Sequence, residues 1–186
     1  MRSPAALRGI YFSIAALVIA CDRISKILIR RYVELNFGSV PVVPHFFSLT
    51  HVENSGAAFS LFADWPPAVR RPLLVSFSIM ALAVVCYLLW NEVRIPILDL
   101  RGLRCVSAQS DSARGFSWNG LALALILGGA VGNLYDRVLY GRVTDFLHCY
   151  IGTHSWPDFN LADSAIVVGT ALLIVELLWG ERARAH

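Results

Sequence analysis

Charged side chains are scarce in this chain of 186 residues, where Asp, Glu, Lys and Arg together make up only 16%. Hydrophobic residues account for 56%, and the mean hydropathy is +0.59. An ordinary soluble domain carries about 25% charged residues, because its surface has to be largely polar. The composition therefore excludes a water-soluble globule and favours a membrane protein.

A basic stripe and closely spaced cysteines are also missing. The formal net charge is only +3, and the positive charges are scattered as single or paired arginines, which argues against nucleic acid as a partner. The four cysteines, Cys21, Cys86, Cys105 and Cys149, lie far apart and form no CxxC pair. This spacing is not that of a small disulfide scaffold and says little about the redox compartment.

Long apolar segments are present instead, and they predict the architecture. A helix needs about 20 mostly apolar residues to cross the hydrocarbon core of a bilayer. Two segments of that length hold no charged residue, whereas two others reach it only by including ionisable side chains, which usually face the bundle interior. We therefore expect an all-α membrane protein, a single domain over residues 1–186, with four transmembrane helices at approximately 9–29, 72–91, 115–135 and 160–179.

The segment between the first two spans has a different composition. Residues 35–62 mix β-branched and aromatic side chains with Gly38, Pro41, Pro44 and Gly56. Such a mixture is typical of short strands and turns. We expect a small β-rich cradle at approximately 35–62, on the side of the membrane opposite the chain termini.

An even number of spans places both termini on one side of the membrane. Basic residues are equally numerous on the two sides, so the positive-inside rule does not choose an orientation when all are counted. Arg23, Lys26 and Arg137 lie in the polar ends of predicted helices, where they can be paired. Leaving them out favours cytoplasmic termini, with residues 92–114 as a polar loop on the same side.

The first span has an alternative interpretation. Arg2 and Arg8 precede an apolar run that ends in the letters VIAC, an arrangement typical of a lipoprotein signal peptide with Cys21 as its lipidated residue. The three apolar spans that follow favour the other interpretation, in which Cys21 lies inside the first transmembrane helix. Mass spectrometry of the intact chain distinguishes the two.

Polar residues in or beside the spans are the candidates for function, because an ionisable group at membrane depth is costly to keep there. Asp22 and Lys26 are four residues apart, so they share a helix face and can pair. Asn54 opens the run NSGAAFS, whose small residues would let another backbone approach closely. A turn explains the same composition equally well.

A glycine-rich stretch closes the third span. Gly128 and Gly132 form a small-xxx-small pattern, which predicts close helix packing. Gly129, Asn133 and Arg137 follow each other at steps of four on one helix face. We expect a groove there, floored by glycine, whose amide and guanidinium suit an extended peptide and a lipid headgroup.

Two carboxylates lie beside the fourth predicted span. Asn160 and Asp163 form a capping-box pattern, which predicts the start of the fourth helix and favours a charged carboxylate there. Asp145 has no such role, because it lies between Val143 and Phe146 beside a membrane helix and needs a partner. A second carboxylate that shares one proton would stabilise both groups, with the proton resting on Asp145.

Together these motifs resemble the lipoprotein signal peptidases, also called signal peptidase II, a family of aspartic peptidases of the bacterial inner membrane. The resemblance covers nearly the whole chain, and five motifs in the same order carry it. They are Asp22 with Lys26, NSGAAF from Asn54, GGAVGNLYDR from Gly128 to Arg137, VTDF from Val143 to Phe146, and FNLAD from Phe159 to Asp163.

The resemblance implies a site. Asp145 and Asp163 are expected to be a catalytic dyad that activates water, and no metal or cofactor is implied. The other site residues either line the site and hold the substrate or act as a positioning pair. The first group comprises Asn54, Gly56, Asn133, Arg137 and Asn160, and the pair is Asp22 with Lys26.

The resemblance also implies a reaction and its setting. The expected substrates are prolipoproteins, whose signal peptide is cleaved just before a diacylglyceryl-modified cysteine. Membrane lipid and cyclic peptide inhibitors of the globomycin type are further expected partners. The implied fold has four transmembrane helices, a periplasmic β-cradle and cytoplasmic termini in the bacterial cytoplasmic (inner) membrane, with the site near the periplasmic face.

Three features depart from the family pattern. Arg23 follows Asp22 where a glutamine is common, and Thr144 precedes Asp145 where an aliphatic residue is usual. The loop at 92–114 is longer than the family norm and lies on the side away from the expected site. None of the three replaces a residue of the dyad.

Two other functions remain as alternatives. Asp145, His148 and His154 suggest metal ligands, although their spacing fits neither HExxH nor an i, i+4 helical pair. A small transporter or channel subunit would also keep buried charges, but it predicts them along the middle of several spans. Here the charges cluster at one end, apart from Glu176.

Overall fold

The structure is a computed structural model that describes residues 4–57, 61–91, 98–99, 104–105 and 116–182. Most of the loop at 92–114, and residues 58–60 of the NSGAAFS run, lie outside the described residues. Along the chain the elements are α1 (Pro4–Tyr32), β1 (Ser39–Val43), β2 (Phe47–Asn54), α2 (Pro67–Asn91), β3 (Leu98–Asp99), β4 (Arg104–Cys105), α3 (Trp118–Tyr140), β5 (Val143–Ile151), β6 (His154–Ser155) and α4 (Leu161–Arg182).

Each predicted span falls largely within one of the four helices. Among the described residues, three helices are long and apolar enough to cross a membrane, at Pro67–Trp90, Trp118–Tyr140 and Leu161–Trp179. Length and composition therefore support the predicted transmembrane helices in α2, α3 and α4, whereas α1 does not meet the same measure. The second half of α1 carries several charged side chains, which a helix facing lipid on all sides would expose.

Glycines of α3 allow the other helices to approach it closely. A Cβ atom at Gly128 would lie 2.7 Å from Cβ of Val18 on α1, and one at Gly132 would lie 2.7 Å from Oδ2 of Asp22. Real Cβ atoms do not come this close to other heavy atoms, so only glycine fits at both positions. The predicted close helix packing at Gly128 and Gly132 is confirmed.

Gly129 faces a different helix, α4. A Cβ atom there would collide with the carbonyl oxygen of Ala162 and would lie 2.8 Å from Cγ1 of Ile166. The predicted open groove along Gly129, Asn133 and Arg137 is therefore wrong at Gly129, because α4 fills that face. The helical spacing identified a shared face correctly, but it could not show which element covers it.

A four-stranded antiparallel sheet, ordered β1-β2-β5-β6, lies outside the helices. β1 and β2 lie in the predicted cradle at 35–62. β5 and β6 come after α3, so the sheet extends beyond the predicted cradle segment. β5 was not predicted from the sequence, because its long pairing partner, β2, is distant in the chain.

The register between β2 and β5 brings two of the sequence motifs together. Val52 lies opposite Asp145, and Asn54 lies opposite Val143. Gly141 ends α3 in the left-handed region, at φ 73°, which glycine adopts without strain. The chain therefore leaves α3 in a sharp turn, and β5 begins at Val143, next to the helix end.

Candidate active site

Asp145 lies on β5 and is only 3% exposed. Both of its carboxylate oxygens accept hydrogen bonds from side-chain amides. Asn160 donates through Nδ2 to Oδ1 at 2.7 Å, and Asn54 donates through Nδ2 to Oδ2 at 3.2 Å. The two donors come from the start of α4 and the end of β2, so the carboxyl group is held between two elements.

Asp163 lies in the first turn of α4, as the capping-box pattern predicts. The backbone N–H of Asn160 donates to Oδ2 of Asp163 at 3.2 Å, and the backbone N–H of Asp163 donates to Oδ1 of Asn160 at 2.9 Å. The predicted capping box is therefore confirmed. Oδ1 of Asp163 also accepts from Nδ2 of Asn133 on α3, at 2.7 Å.

Asn160 connects the two aspartates. Its side chain is fully buried, with the Nδ2 end donating to Asp145 and the Oδ1 end accepting from the backbone of Asp163. The preceding residue is tied to β5, because the carbonyl oxygen of Phe159 accepts from the backbone N–H of Phe146 at 2.9 Å. The start of α4 is thereby fixed against β5, and the two carboxyl groups lie in one site.

The surroundings of Asp145 favour its protonated form. Burial and, second, the neighbouring carboxylate of Asp163 raise the pKa of Asp145 to about 7. The amide hydrogen bonds from Asn160 and Asn54 and the positive charge of Lys26 act in the opposite direction and are outweighed. Near neutral pH a substantial fraction of this carboxyl group is therefore protonated.

The first part of the NSGAAFS run forms a turn. Oδ1 of Asn54 accepts from the backbone N–H of Gly56 at 2.9 Å, and Nδ2 of Asn54 donates to the carbonyl oxygen of Ala57 at 3.3 Å. Arg137 on α3 donates to the carbonyl oxygen of Gly56 at 3.4 Å. Residues 54–57 therefore form a turn, which brings Asn54 next to Asp145 and Gly56 next to Arg137.

A cavity of about 300 Å³ opens beside Asp145. Most of its walls come from the end of β2 and from the segments that precede α2 and α4, outside the apolar helices. The cavity therefore lies at the sheet end of the molecule, beside the Asp145 carboxyl group. The lining residues are Val52, Glu53, Asn54, Ser55, Ala63, Asp145, Pro157 and Asp158.

The predicted pair of Asp22 and Lys26 is present, with Nζ of Lys26 at 2.8 Å from Oδ2 of Asp22 and both side chains fully buried. Oδ1 of Asp22 accepts from the backbone N–H of Ala162 at 3.1 Å, and Lys26 donates to Oδ1 of Asn133 at 3.2 Å. All these contacts are internal. The pair therefore contacts the first turn of α4 and the side chain of Asn133.

The three residues considered as metal ligands are not brought together. Nδ1 of His148 lies 2.8 Å from Oδ1 of Asp158, while Nδ1 of His154 faces the hydroxyl of Thr153. Asp145 bonds to two asparagines instead. Within the part of the chain that the structure describes, no three His, Cys, Asp or Glu side chains are grouped so that they could hold a metal ion.

The fold and these residues match a known family. The family model for signal peptidase (SPase) II matches residues 14–179, a range that contains every site residue from Asp22 to Asp163. The chain belongs to the signal peptidase II family. As a member of this family it is a membrane protease.

Relatives and solved structures agree with the signal peptidase II assignment. A lipoprotein signal peptidase of Solibacter usitatus (strain Ellin6076) is 37% identical over 180 residues, covering 97% of each chain. One of Geobacter sulfurreducens (strain ATCC 51573 / DSM 12127 / PCA) is 41% identical over 164 residues, covering 88% of each. A solved "Bacterial membrane enzyme structure by the in meso method at 2.3 A resolution" is 27% identical, with a TM-score of 0.70 over 91% of this chain and 88% of that one.

Asp136, for which no role was predicted, is a further buried charge in this member of the signal peptidase II family. Its carboxylate is fully buried on α3 and pairs with Lys26 at 2.8 Å and with Arg30 at 3.3 Å. The sequence does point to Asp136, because it is an ionisable residue at the polar end of a span, three positions after Asn133. The rule that singled out Asp22 applies equally to Asp136.

Proposed function

We propose that this chain is an endopeptidase that removes the signal peptide from diacylglyceryl-modified prolipoproteins by cleaving just before the lipidated cysteine. Asp145 and Asp163 are its catalytic pair. The observation that carries this proposal is the position of Asn160, which donates to the carboxylate of Asp145 and accepts from the backbone of Asp163. The relatives named lipoprotein signal peptidase support the substrate class.

The two aspartates have different tasks because their surroundings differ. Asp163 lies in the first turn of α4, where free N–H groups and the helix dipole stabilise a negative charge. Its carboxylate accepts a proton from the attacking water. Asp145, whose pKa is about 7, carries the proton that is donated to the oxygen of the scissile carbonyl group.

The reaction balances over two steps. In the first, the water oxygen bonds to the carbonyl carbon, a water proton moves to Asp163, and the proton of Asp145 moves to the carbonyl oxygen. In the second, the carbon–nitrogen bond breaks, the leaving nitrogen takes the proton from Asp163, and a hydroxyl proton of the intermediate returns to Asp145. The products are a signal peptide with a new carboxyl end and a lipoprotein with a free cysteine amine.

Polar groups around the pair suit an extended peptide backbone. Asn54 and the carbonyl oxygen of Gly56 border the site on one side, with the guanidinium of Arg137 beside them. The apolar signal peptide and the diacylglyceryl chains remain in membrane lipid, next to the largely exposed apolar surfaces of α2 and α4. Cyclic peptides of the globomycin type occupy the same place as substrate analogues.

In this proposal α1 also crosses the membrane, so that together with α2, α3 and α4 the chain has four spans. Two charged residues of α1, Asp22 and Lys26, are fully buried against α3 and α4, so neither side chain faces lipid. Arg23 and Arg30 pair with the buried carboxylate of Asp136. The chain is embedded in the inner membrane of a bacterial cell. Because the number of spans is even, both termini lie on the same side, which in this proposal is the cytoplasm. The sheet and the site then lie at the periplasmic face, where the end of a signal peptide emerges.

The test is a cleavage assay with the purified full-length chain. A prolipoprotein peptide carrying a diacylglyceryl cysteine is compared with the same peptide lacking the lipid, each with and without a metal chelator. We expect cleavage of the lipidated peptide only, before the cysteine and at the same rate with chelator. An intact lipidated peptide, or cleavage that the chelator stops and added Zn²⁺ restores, contradicts the proposal.

A further inference from the structure

We infer that Asp136 is a positioning residue for the proposed reaction, because it holds two cations that each fix the surroundings of one aspartate. Lys26 contacts Asn133, which binds Asp163. Arg30 contacts Thr144, the residue before Asp145. The inference rests on the proposed function, since it gives Asp136 a task in organising the same catalytic pair. Asp136 acts through these neighbours and takes no part in the bond-breaking steps.

The carboxylate of Asp136 is fully buried, and three cations of α1 surround it. Oδ1 pairs with Arg23 and with Arg30, the latter at 3.3 Å, while Nζ of Lys26 lies 2.8 Å from Oδ2. A buried charge needs such partners to offset its lost hydration. Without the charge of Asp136, Asp22 alone would hold the ammonium group of Lys26, which could then shift, and both arginines would lose the carboxylate that holds them against α3.

The first link runs from Lys26 to Asp163. An ammonium group has donors only, so Asn133 must turn its carbonyl oxygen towards Lys26, at 3.2 Å. The other end of the same amide, Nδ2, is then directed at the carboxylate of Asp163, at 2.7 Å. If Lys26 moved away, the Asn133 amide could flip and face the carboxylate with an oxygen, which is repulsive. Lys26 therefore sets the direction of the Asn133 hydrogen bond.

The second link runs from Arg30 to the residue before Asp145. Nε of Arg30 donates to Oγ1 of Thr144 at 2.8 Å, and the Thr144 side chain is fully buried. A guanidinium is planar and rigid, so one that binds Asp136 and Thr144 together fixes α3 relative to β5. The ring of Tyr140 lies 4.2 Å from the Arg30 guanidinium and limits its movement further.

Thr144 and Arg23 both belong to the cluster around Asp136. The hydroxyl of Thr144 accepts from Arg30, which an aliphatic side chain at this position could not do. Arg23 adds a further positive charge beside the Asp136 carboxylate.

The test measures kcat and KM for the lipidated peptide, together with thermal unfolding, on the full-length chain in lipid nanodiscs. Asp136→Asn should lower kcat about 100-fold with little change in KM, the scale of effect that a misplacement of about 1 Å produces. Thr144→Val should lower kcat about tenfold, equivalent to about 1.4 kcal/mol. Thr144→Ser keeps the hydroxyl and should restore kcat to within about twofold of the wild type. Asp64→Asn, on an exposed aspartate outside the cluster, is the control.

The two links share Asp136, so their effects should not add. In the Asp136→Asn background, Thr144→Val should lower kcat by much less than it does alone. Additive effects, or a Thr144→Val variant that lowers only the melting temperature and leaves kcat unchanged, overturn the inference.

Two further outcomes are distinguishable. If Asp136→Asn does not fold, Arg30→Lys replaces it, because lysine keeps the charge but cannot bind Asp136 and Thr144 at once. Arg30→Lys should lower kcat as much as Thr144→Val does. The double variant with both substitutions should show no further loss of kcat, and independent effects of the two substitutions overturn the inference. A wild-type chain that leaves the lipidated peptide intact contradicts the proposed function instead.

Discussion

Asn160 and Asp163 bond to each other twice, once through each backbone N–H group, at 3.2 and 2.9 Å. This is a helix cap, and on its own it would explain Asp163 as a structural residue. The Asn160 side chain also bonds to Asp145, and the Asp163 side chain also bonds to Asn133. The cap therefore belongs to the candidate site, because it fixes the direction of the Asp163 carboxylate relative to its neighbours.

Replacing either member of the proposed catalytic pair should abolish cleavage. Asp145→Asn and Asp163→Asn keep the side-chain shape but remove the proton acceptor or donor, so we expect no measurable kcat and a folded, membrane-inserted protein. Peptide cleavage and thermal unfolding provide the check, with Asp64→Asn as the control. Asp136 does not suit this purpose, because it is buried among three cations. An active Asp145→Asn variant would contradict the assignment.

Activity should fall as the pH rises through about 7, because the pKa of Asp145 is raised to about 7 and the proposed mechanism needs its protonated form. The Asn54 amide lowers this pKa, so Asn54→Leu should move the decline in kcat to higher pH. A pH–rate profile of both proteins tests the shift, and an unchanged midpoint in Asn54→Leu argues against it.

In infrared spectra near neutral pH, a protonated-carboxyl band should vanish in Asp145→Asn.

Gly129→Ala should lower both stability and activity. The added methyl group collides with the carbonyl oxygen of Ala162, which precedes Asp163, so α4 has to move away from α3. Overpacking of this kind typically costs about 1–3 kcal/mol of unfolding free energy. Gly9→Ala is the matched control, because no heavy atom lies within 4 Å of its added Cβ. Wild-type melting and kcat in Gly129→Ala would show that this contact is unimportant.

Cysteine labelling tests the proposed orientation. In a background without the native cysteines, Ser39→Cys and Thr153→Cys lie at exposed positions of the sheet region and should react with an impermeant thiol reagent in intact cells. Ser110→Cys, in the loop outside the described residues, should react only after the cells are opened. The opposite labelling pattern would place the sheet and the site in the cytoplasm.

Local features of this protein could be predicted from the sequence. The four helices, the capping box of Asn160 and Asp163, and the ion pair of Asp22 and Lys26 all depend on residues within a few positions of each other. Helix periodicity and the length of a bilayer-spanning segment are sufficient for such features. The five motifs in order also indicated the family and Asp145 and Asp163 as its proposed catalytic pair.

Contacts between distant segments were decided only by the tertiary structure. The pairing of β5 with β2 brings Asn54 to Asp145, α4 closes the expected groove at Gly129, and Asp136 meets three cations of α1. Spacing along one helix tells which residues share a face, but not which element packs against it. That choice depends on how all the apolar faces and buried charges of the chain are satisfied together, and only the folded molecule determines it.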